Sequence, residues 1–312
     1  MENKEKNFIS AVVYIHNAED QVPGFLSAII KALEDNFEHS EMICVNDASN
    51  DGSYEAIKAV SEAADSTSIS IINMSYYHGL ELSMNAGVDL SIGDFVFEFD
   101  STTLDFNPEL ISKVYHRSLE GFDIVSASPD KHEKLSSRLF YQVFNRFAPF
   151  PYEMATERFR ILSRRVINRI GSMNRVILYR KALYMNCGLK TDTLRYLPQE
   201  SKASKHRDRQ EHSYRSRLAV DSLILFTQLG YRFSMVMTML MMAMSLFVVA
   251  YTLVTYLTLH PVAGWTTTIL FLSISFFGLF GVLTVIIKYL QLLVDTVFKR
   301  KHYSFESIEK IT

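Results

Sequence analysis

Hydrophobic and polar positions follow three regimes along the 312-residue chain. Residues 8–15 form an apolar, β-branched run, which predicts a buried strand. Apolar positions from 22 to 33 recur at helical spacing, with Pro23 suited to a first turn, and predict a helix. The alternation continues: strand at 41–45, helix at about 54–64, strand at 68–73, helix at about 79–90 and strand at 95–99. Strands separated by helices of this length predict βαβ units and a parallel sheet, an α/β fold. From Phe233 to Ile287 the regime changes, because these 55 residues contain no Asp, Glu, Lys or Arg. Only residues 259–264, with His260, Pro261 and Gly264, interrupt the stretch.

A helix rises about 1.5 Å per residue, so roughly 20 apolar residues cross a hydrocarbon core of about 30 Å. Each arm of the uncharged stretch meets that length, which predicts two membrane helices joined by a tight hairpin. Arg215, Arg217 and Arg232 precede it, and Lys288, Lys299, Arg300 and Lys301 follow, while the connecting loop carries no charge. The positive-inside rule then places both termini in the cytoplasm, with Trp265, Tyr231 and Tyr289 at the interfaces. The first seven residues are charged and lead into an apolar run too short for a signal peptide, so the N-terminal portion is expected to stay cytoplasmic. The expected organisation is a cytoplasmic domain over 1–215, an amphipathic juxtamembrane helix over 216–232, a hairpin over 233–293 (arms at about 233–259 and 265–290) and a cytoplasmic tail over 294–312.

The net charge of −2 conceals a division. Residues 1–130 carry 23 acids against 6 bases, and residues 131–312 carry 11 acids against 26 bases. A basic, membrane-proximal half suits phosphates or anionic lipid. Nucleic acid is not an expected partner, since no recognition helix or zinc pattern accompanies the bases. Cys44 and Cys187 have no metal-ligand spacing and are expected to be reduced, partly buried thiols.

In open parallel sheets ligands bind beyond the carboxyl ends of the strands, and two such ends carry candidate chemistry. Asp47 closes the second strand within Asn46-Asp47-Ala48-Ser49-Asn50-Asp51-Gly52-Ser53, a turn able to cap a helix or hold a base or ribose. Glu98 and Asp100 close the strand that starts at Phe95, and alternation puts both on one face. Two carboxylates so placed repel unless a cation intervenes, and a divalent metal carrying a nucleotide diphosphate would serve.

Taken together, the Asn46 to Ser53 turn, His78-Gly79, Met84-Asn85-Ala86-Gly87, Gly93-Asp94-Phe95-Val96 and Glu98-Phe99-Asp100 resemble, in order and spacing, the family 2 GT-A glycosyltransferases up to their D-x-D metal motif. Thr156 to Arg165 is similar to the F-R-x-x-S-R segment of the branch that loads sugars onto dolichyl or undecaprenyl phosphate. Arg207 and Tyr214, then Asp221, Phe226-Thr227 and Tyr231-Arg232, and finally Gly281, Tyr289-Leu290 and Lys299 to Tyr303 resemble later motifs of that branch. The two-helix hairpin matches its bacterial GtrB-like subgroup.

The resemblance implies a GT-A (Rossmann-like, mostly parallel) cytoplasmic domain and inverting transfer from a UDP- or GDP-sugar to polyprenyl phosphate at a bacterial inner membrane. It implies donor binding by Asn17, Asp47, Asn85 and Glu98, and a Mg²⁺ or Mn²⁺ ion held by Asp100 and Glu98. Acceptor phosphate is assigned to Arg160, Arg164, Arg207 and Tyr214, with Asp100, Glu98, Arg160 and Arg164 as the catalytic set. It further implies a homotetramer. Residues 156–181 supply eight cations against the single acid Glu157, and arginine's planar fork suits phosphate. A phosphate monoester with a second pKa near about 6 needs positioning more than a general base. No Q-x-x-R-W sequence occurs, which counts against a processive polymerase. Glu98 replaces the first Asp of D-x-D, Asn46 replaces an Asp, and Gln210 and His212 stand in place of Gly and Ser. Two other readings therefore stay open: a membrane-bound scaffold without transferase activity, and a transferase with a saccharide hydroxyl acceptor using Glu157 or Asp192 as base.

Overall fold

A computed structural model describes residues 4–62, 64, 66–130, 135–147, 154, 156–172, 179–199, 209–226 and 305–310, with scattered positions from 233 to 293. The chain divides into two compact units, one of residues 1–145, 150–219 and 299–312, the other of residues 146–149 and 220–298.

The first unit contains the alternating elements: β1 (Ile9–Ile15), α1 (Val22–Asn36), β2 (Ser40–Asn46), α2 (Ser53–Ser61), β3 (Ser68–Met74), α3 (Leu80–Leu90), β4 (Phe95–Phe99), α4 (Glu109–Leu119) and β5 (Ile124–Pro129). Then follow α5 (Leu135–Phe147), β6 (Phe159–Ser163), α6 (Arg164–Ser172), α7 (Arg180–Asn186), β7 (Thr191–Tyr196), α8 (Arg209–Phe226) and β8 (Phe305–Lys310). Both α5 and α8 run past the limits of this unit. The eight strands form one sheet in the order β7-β5-β6-β4-β1-β2-β3-β8. Strands β4, β1, β2 and β3 are parallel neighbours, as the alternation predicts. β6 is antiparallel to β4 and β5, while β7 is parallel to β5. Residues 305–310, within the expected tail, pair antiparallel with β3, and Tyr54 donates a hydrogen bond to Glu309 at 2.9 Å.

Every residue of β1 is buried, consistent with a strand covered on both faces. One face packs under α1 and α4 through Phe25, Leu26, Ile111 and Val114. The other packs under α3 through Val12, Val45, Met84 and Ala86, and continues outward to Ile124, Leu162 and Tyr184. Gly87 is required in α3, because a Cβ there would collide with Val12 and Val45. This close approach seats α3 over the middle of the sheet. Cys44 and Cys187 are both buried free thiols, as expected.

In the second unit the described positions between 233 and 293 are helical, and Gly278 lies so close to Met241 that a Cβ would strike its sulfur. Among the described residues no helix is long and apolar enough to cross a membrane. Most of both uncharged arms, with the connecting loop and Trp265, lies outside those residues.

Candidate active site

At the carboxyl end of β2, Asp47 is wholly buried. Its Oδ1 accepts from the His78 amide at 2.8 Å, and its Oδ2 accepts from the Gly79 amide at 2.8 Å and the Tyr14 hydroxyl at 3.1 Å. Gly79 precedes the first residue of α3, so Asp47 satisfies an orphan amide at a helix start and ties that helix to β2. Gly79 has φ +81, open to glycine at low cost, and the ring of Tyr214 fills the space a side chain would need. Tyr214 thus covers the α3 start, and its ring meets Tyr77 edge-on at 6.0 Å.

Asn17 follows β1 in the left-handed region at φ 47. Its Oδ1 accepts from the Asn50 amide at 2.8 Å, and its own amide donates to Ser49 Oγ at 3.1 Å. The donor-side residues Asn17 and Asp47 therefore brace one pair of loops beyond β1 and β2. Asn85 is buried on α3.

The carboxyl end of β4 holds a dense ionic cluster. Glu98 is 0% exposed, and its Oε2 accepts from Arg160 Nη1 at 2.6 Å while Oε1 accepts from the Tyr184 hydroxyl at 2.6 Å. Arg180 Nη1 also lies 2.9 Å from Oε1, an ion pair without hydrogen-bond alignment. Asp100 receives Arg160 Nη2 at 2.6 Å and Arg180 Nη2 at 2.9 Å, and remains 16% exposed. Arg160 reaches a third carboxylate, Glu157, through Nε at 2.9 Å. Arg180 binds Glu81 through Nε at 3.0 Å and through its backbone amide at 2.9 Å. Lys181 lies 3.9 Å from Glu157. Four carboxylates thus surround three cations. Burial alone would push the Asp100 carboxyl up, but Arg160, Arg180 and Lys181 outweigh it and hold the group well below the usual carboxylate range.

These contacts decide which side chains remain available. Glu98 has no oxygen free for a metal, because both are engaged and sealed from solvent. Asp100 does face solvent, and one ionised carboxylate fits Mg²⁺, which takes much of its shell from substrate phosphates and water. Among the described residues no cluster of three or more His, Cys, Asp or Glu forms a self-sufficient metal cage.

The three acceptor residues that are described, Arg160, Arg164 and Tyr214, are not brought together. Arg160 is 1% exposed and committed to three carboxylates. Arg164 lies just past the far end of β6, where it donates to the Gly93 carbonyl through Nε at 2.8 Å. β6 antiparallels β4, so Arg160 pairs with Glu98 while Arg164 follows Ser163, the partner of Phe95. Four residues along a strand is about 13 Å. Tyr214 belongs to the α3 start, and Arg207 lies outside the described residues. Of the two candidate bases, Glu157 is held by Arg160 and Asp192 by Arg117 at 2.6 Å. Arg180 is the residue that sequence reasoning passed over. Its signal was there, as one of eight cations over 156–181, but nothing in its spacing singled it out.

An uncharacterised glycosyltransferase of Synechocystis sp. is 28% identical over 189 residues, 58% of each chain. A prophage bactoprenol glucosyl transferase homolog of Escherichia coli is 26% identical over 198 residues, 62% of this chain and 64% of that one. An undecaprenyl-phosphate 4-deoxy-4-formamido-L-arabinose transferase of Aeromonas hydrophila is 27% identical over 125 residues, 40% of this chain and 38% of that one. The chain spans less than two thirds of the length of these relatives. A mycobacterial protein of known crystal structure superposes with a TM-score of 0.50 at 14% identity, covering 70% of this chain and 74% of that one, and shares the α/β fold. A model of glycosyl transferase family 2 matches residues 10–181, from β1 to the start of α7, more than half of the chain. The protein belongs to glycosyl transferase family 2.

Proposed function

We propose that the protein moves a sugar from a UDP- or GDP-sugar to a polyprenyl phosphate, with inversion, at the cytoplasmic face of a bacterial inner membrane. What carries the reading is one chain joining a family 2 domain to a 55-residue uncharged stretch. The named activities of the bactoprenol and undecaprenyl-phosphate relatives support it. On this reading residues 233–293 form a two-helix hairpin with both termini cytoplasmic, and the close approach of Gly278 to Met241 suits two packed helices. Small residues there also suit a homo-oligomer, a tetramer by family resemblance.

The donor lies beyond the carboxyl ends of β1, β2 and β4, against the loops braced by Asn17 and Asp47. Asp100, already ionised, is the residue that would hold a divalent cation accompanying the donor. Bound Mg²⁺ or Mn²⁺ would supply charge neutralisation of the departing diphosphate. Arg160 and Arg180 fix the Asp100 carboxylate in position and keep Glu98 from repelling it. An oxygen of the acceptor phosphate attacks the anomeric carbon, and the bond to the diphosphate breaks with its electron pair leaving on the nucleotide. The acceptor is anionic at neutral pH, so no protein base takes a proton.

A second reading, a nucleotide-binding scaffold without transfer, draws on the neutralisation by arginines of Glu98 in β4 and Asp100 just beyond it. Incubating membranes that contain the protein with a panel of nucleotide-sugars and short polyprenyl phosphates separates the two. Lipid-linked sugar supports transfer, and nucleotide binding with no product from any donor supports the scaffold.

A further inference from the structure

The sheet face that carries Glu98 stays polar beyond the ionic cluster. Glu98 pairs in register with Arg160, Arg160 with Ser126 and Ser126 with Thr193, so one row crosses β4, β6, β5 and β7. Residues paired in register point to the same face of a pleated sheet. The opposite face of these strands is apolar, with Phe97, Phe99, Phe159 and Val125 in the main core. Above the outer part of the polar row lies a cavity of about 420 Å³, bounded by Lys181 and Tyr184 of α7. That volume suits a small polar ligand or head group, within the roughly 300–1,000 Å³ of ordinary sites.

One cation of its wall, Arg195, has no acid against it among the described residues. Asp192 in the wall is paired with Arg117, and Glu157 is hydrogen-bonded to Arg160. Lys181 lies 3.9 Å from Glu157, its one ion pair among the described residues. Arg195 is exposed and makes no ion pair among the described residues. Arg195 thus stands unmatched in the same wall as the Lys181 ammonium and the hydroxyls of Ser126 and Thr193, a set of donors on one cavity. The same wall reaches the reacting end of the sheet, since Arg160 touches both the cavity and Asp100.

The geometry points to this cavity as the seat of the acceptor's phosphate monoester, held by Lys181 and Arg195 with Ser126 and Thr193 as further donors. The inference rests on the lipid-phosphate reading above, and it places the acceptor away from Arg164, on the Asp100 side of β6.

The test measures transfer to a short-chain polyprenyl phosphate by full-length protein in membranes, with KM taken separately for donor and acceptor. Arg195→Gln, at an exposed position that should not disturb folding, and Lys181→Met should each raise the acceptor KM about tenfold while the donor KM holds. Arg195→Lys should recover part of the loss, because charge returns without the fork. Inorganic phosphate should compete with the acceptor and not with the donor in the wild type, and more weakly in Arg195→Gln. Unchanged acceptor KM in both variants, with wild-type transfer intact, would overturn the assignment while leaving the acceptor class standing. Transfer by the wild type to a saccharide hydroxyl and never to a lipid phosphate would overturn the acceptor reading, and this inference with it.

Discussion

Arg160 Nη1 lies 2.6 Å from Glu98 Oε2, and neither side chain is more than 1% exposed. A charge sealed in this way depends on its partner, because the medium around it cannot replace water. Arg160→Ala would strand Glu98 and weaken the hold on Asp100 and Glu157. We expect a loss of about 3–5 kcal/mol of stability, read as a lowered denaturation midpoint of the purified protein in detergent. The double variant Arg160→Met, Glu98→Leu should lose less than Arg160→Ala alone, since no unpaired charge remains at that pair.

Asp47 organises the start of α3 through two amide hydrogen bonds and is itself held by a third, from the Tyr14 hydroxyl of β1. Hydrogen bonds to a charged group contribute roughly 1.5–3 kcal/mol, and losing the acceptor leaves buried amides unsatisfied. Asp47→Ala should therefore destabilise the protein by at least about 2 kcal/mol, with Asp47→Asn milder. Hydrogen exchange at the His78 and Gly79 amides should accelerate in both. Unchanged exchange would contradict the capping role.

Gly79 and Tyr214 make a separable pair. Gly79→Ala meets two penalties, the positive φ and the Tyr214 ring. Tyr214→Ala in the same chain removes only the second. The double variant should be more stable than additivity of the two single variants predicts, by an interaction within about 0.5–3 kcal/mol for residues in contact. Strict additivity would show that the ring does not obstruct that space.

The depressed Asp100 pKa gives a signed expectation for acid. Burial raises it, the neighbouring arginines outweigh burial, and the folded value falls below the unfolded one of about 3.9. Its contribution to stability is then fully present above that unfolded value and is lost as pH falls toward the folded one. Melting temperature measured from pH 6 down to pH 3 should drop less steeply for Asp100→Asn than for the wild type. Cys44 offers a control at the other end, because burial pushes its thiol up to about 12. A thiol reagent at pH 8 should label it only after unfolding.

The parallel core was legible because βαβ units write themselves locally. Apolar runs mark each strand, as at 8–15 and 68–73, and Asn/Gly-rich turns end them near Asp47. The antiparallel β6 and the edge strand β8 depend on pairing between residues far apart in sequence, such as Glu98 with Arg160 and Ile72 with Ile308. No local period reports that. The site followed the same division. Asp47, Glu98 and Asp100 were visible as carboxylates at strand ends. That Arg160 would turn inward and Arg164 would fall at the other end of the same strand is decided by strand direction, which spacing does not encode. Arg180 stayed hidden for a related reason, since a cation joins a buried cluster through the path of the intervening chain.

Sugar transfer to a lipid phosphate is proposed to run through a site built on Asp100. The most direct measurement is formation of lipid-linked sugar from a panel of labelled UDP- and GDP-sugars and a short polyprenyl phosphate, in Mg²⁺ or Mn²⁺, comparing wild type with Asp100→Asn. Product is expected with at least one donor, with a fall of about a hundredfold or more in the variant, the scale of losing one transition-state charge interaction. Equal product from Asp100→Asn, or none from the wild type with any donor, would contradict it.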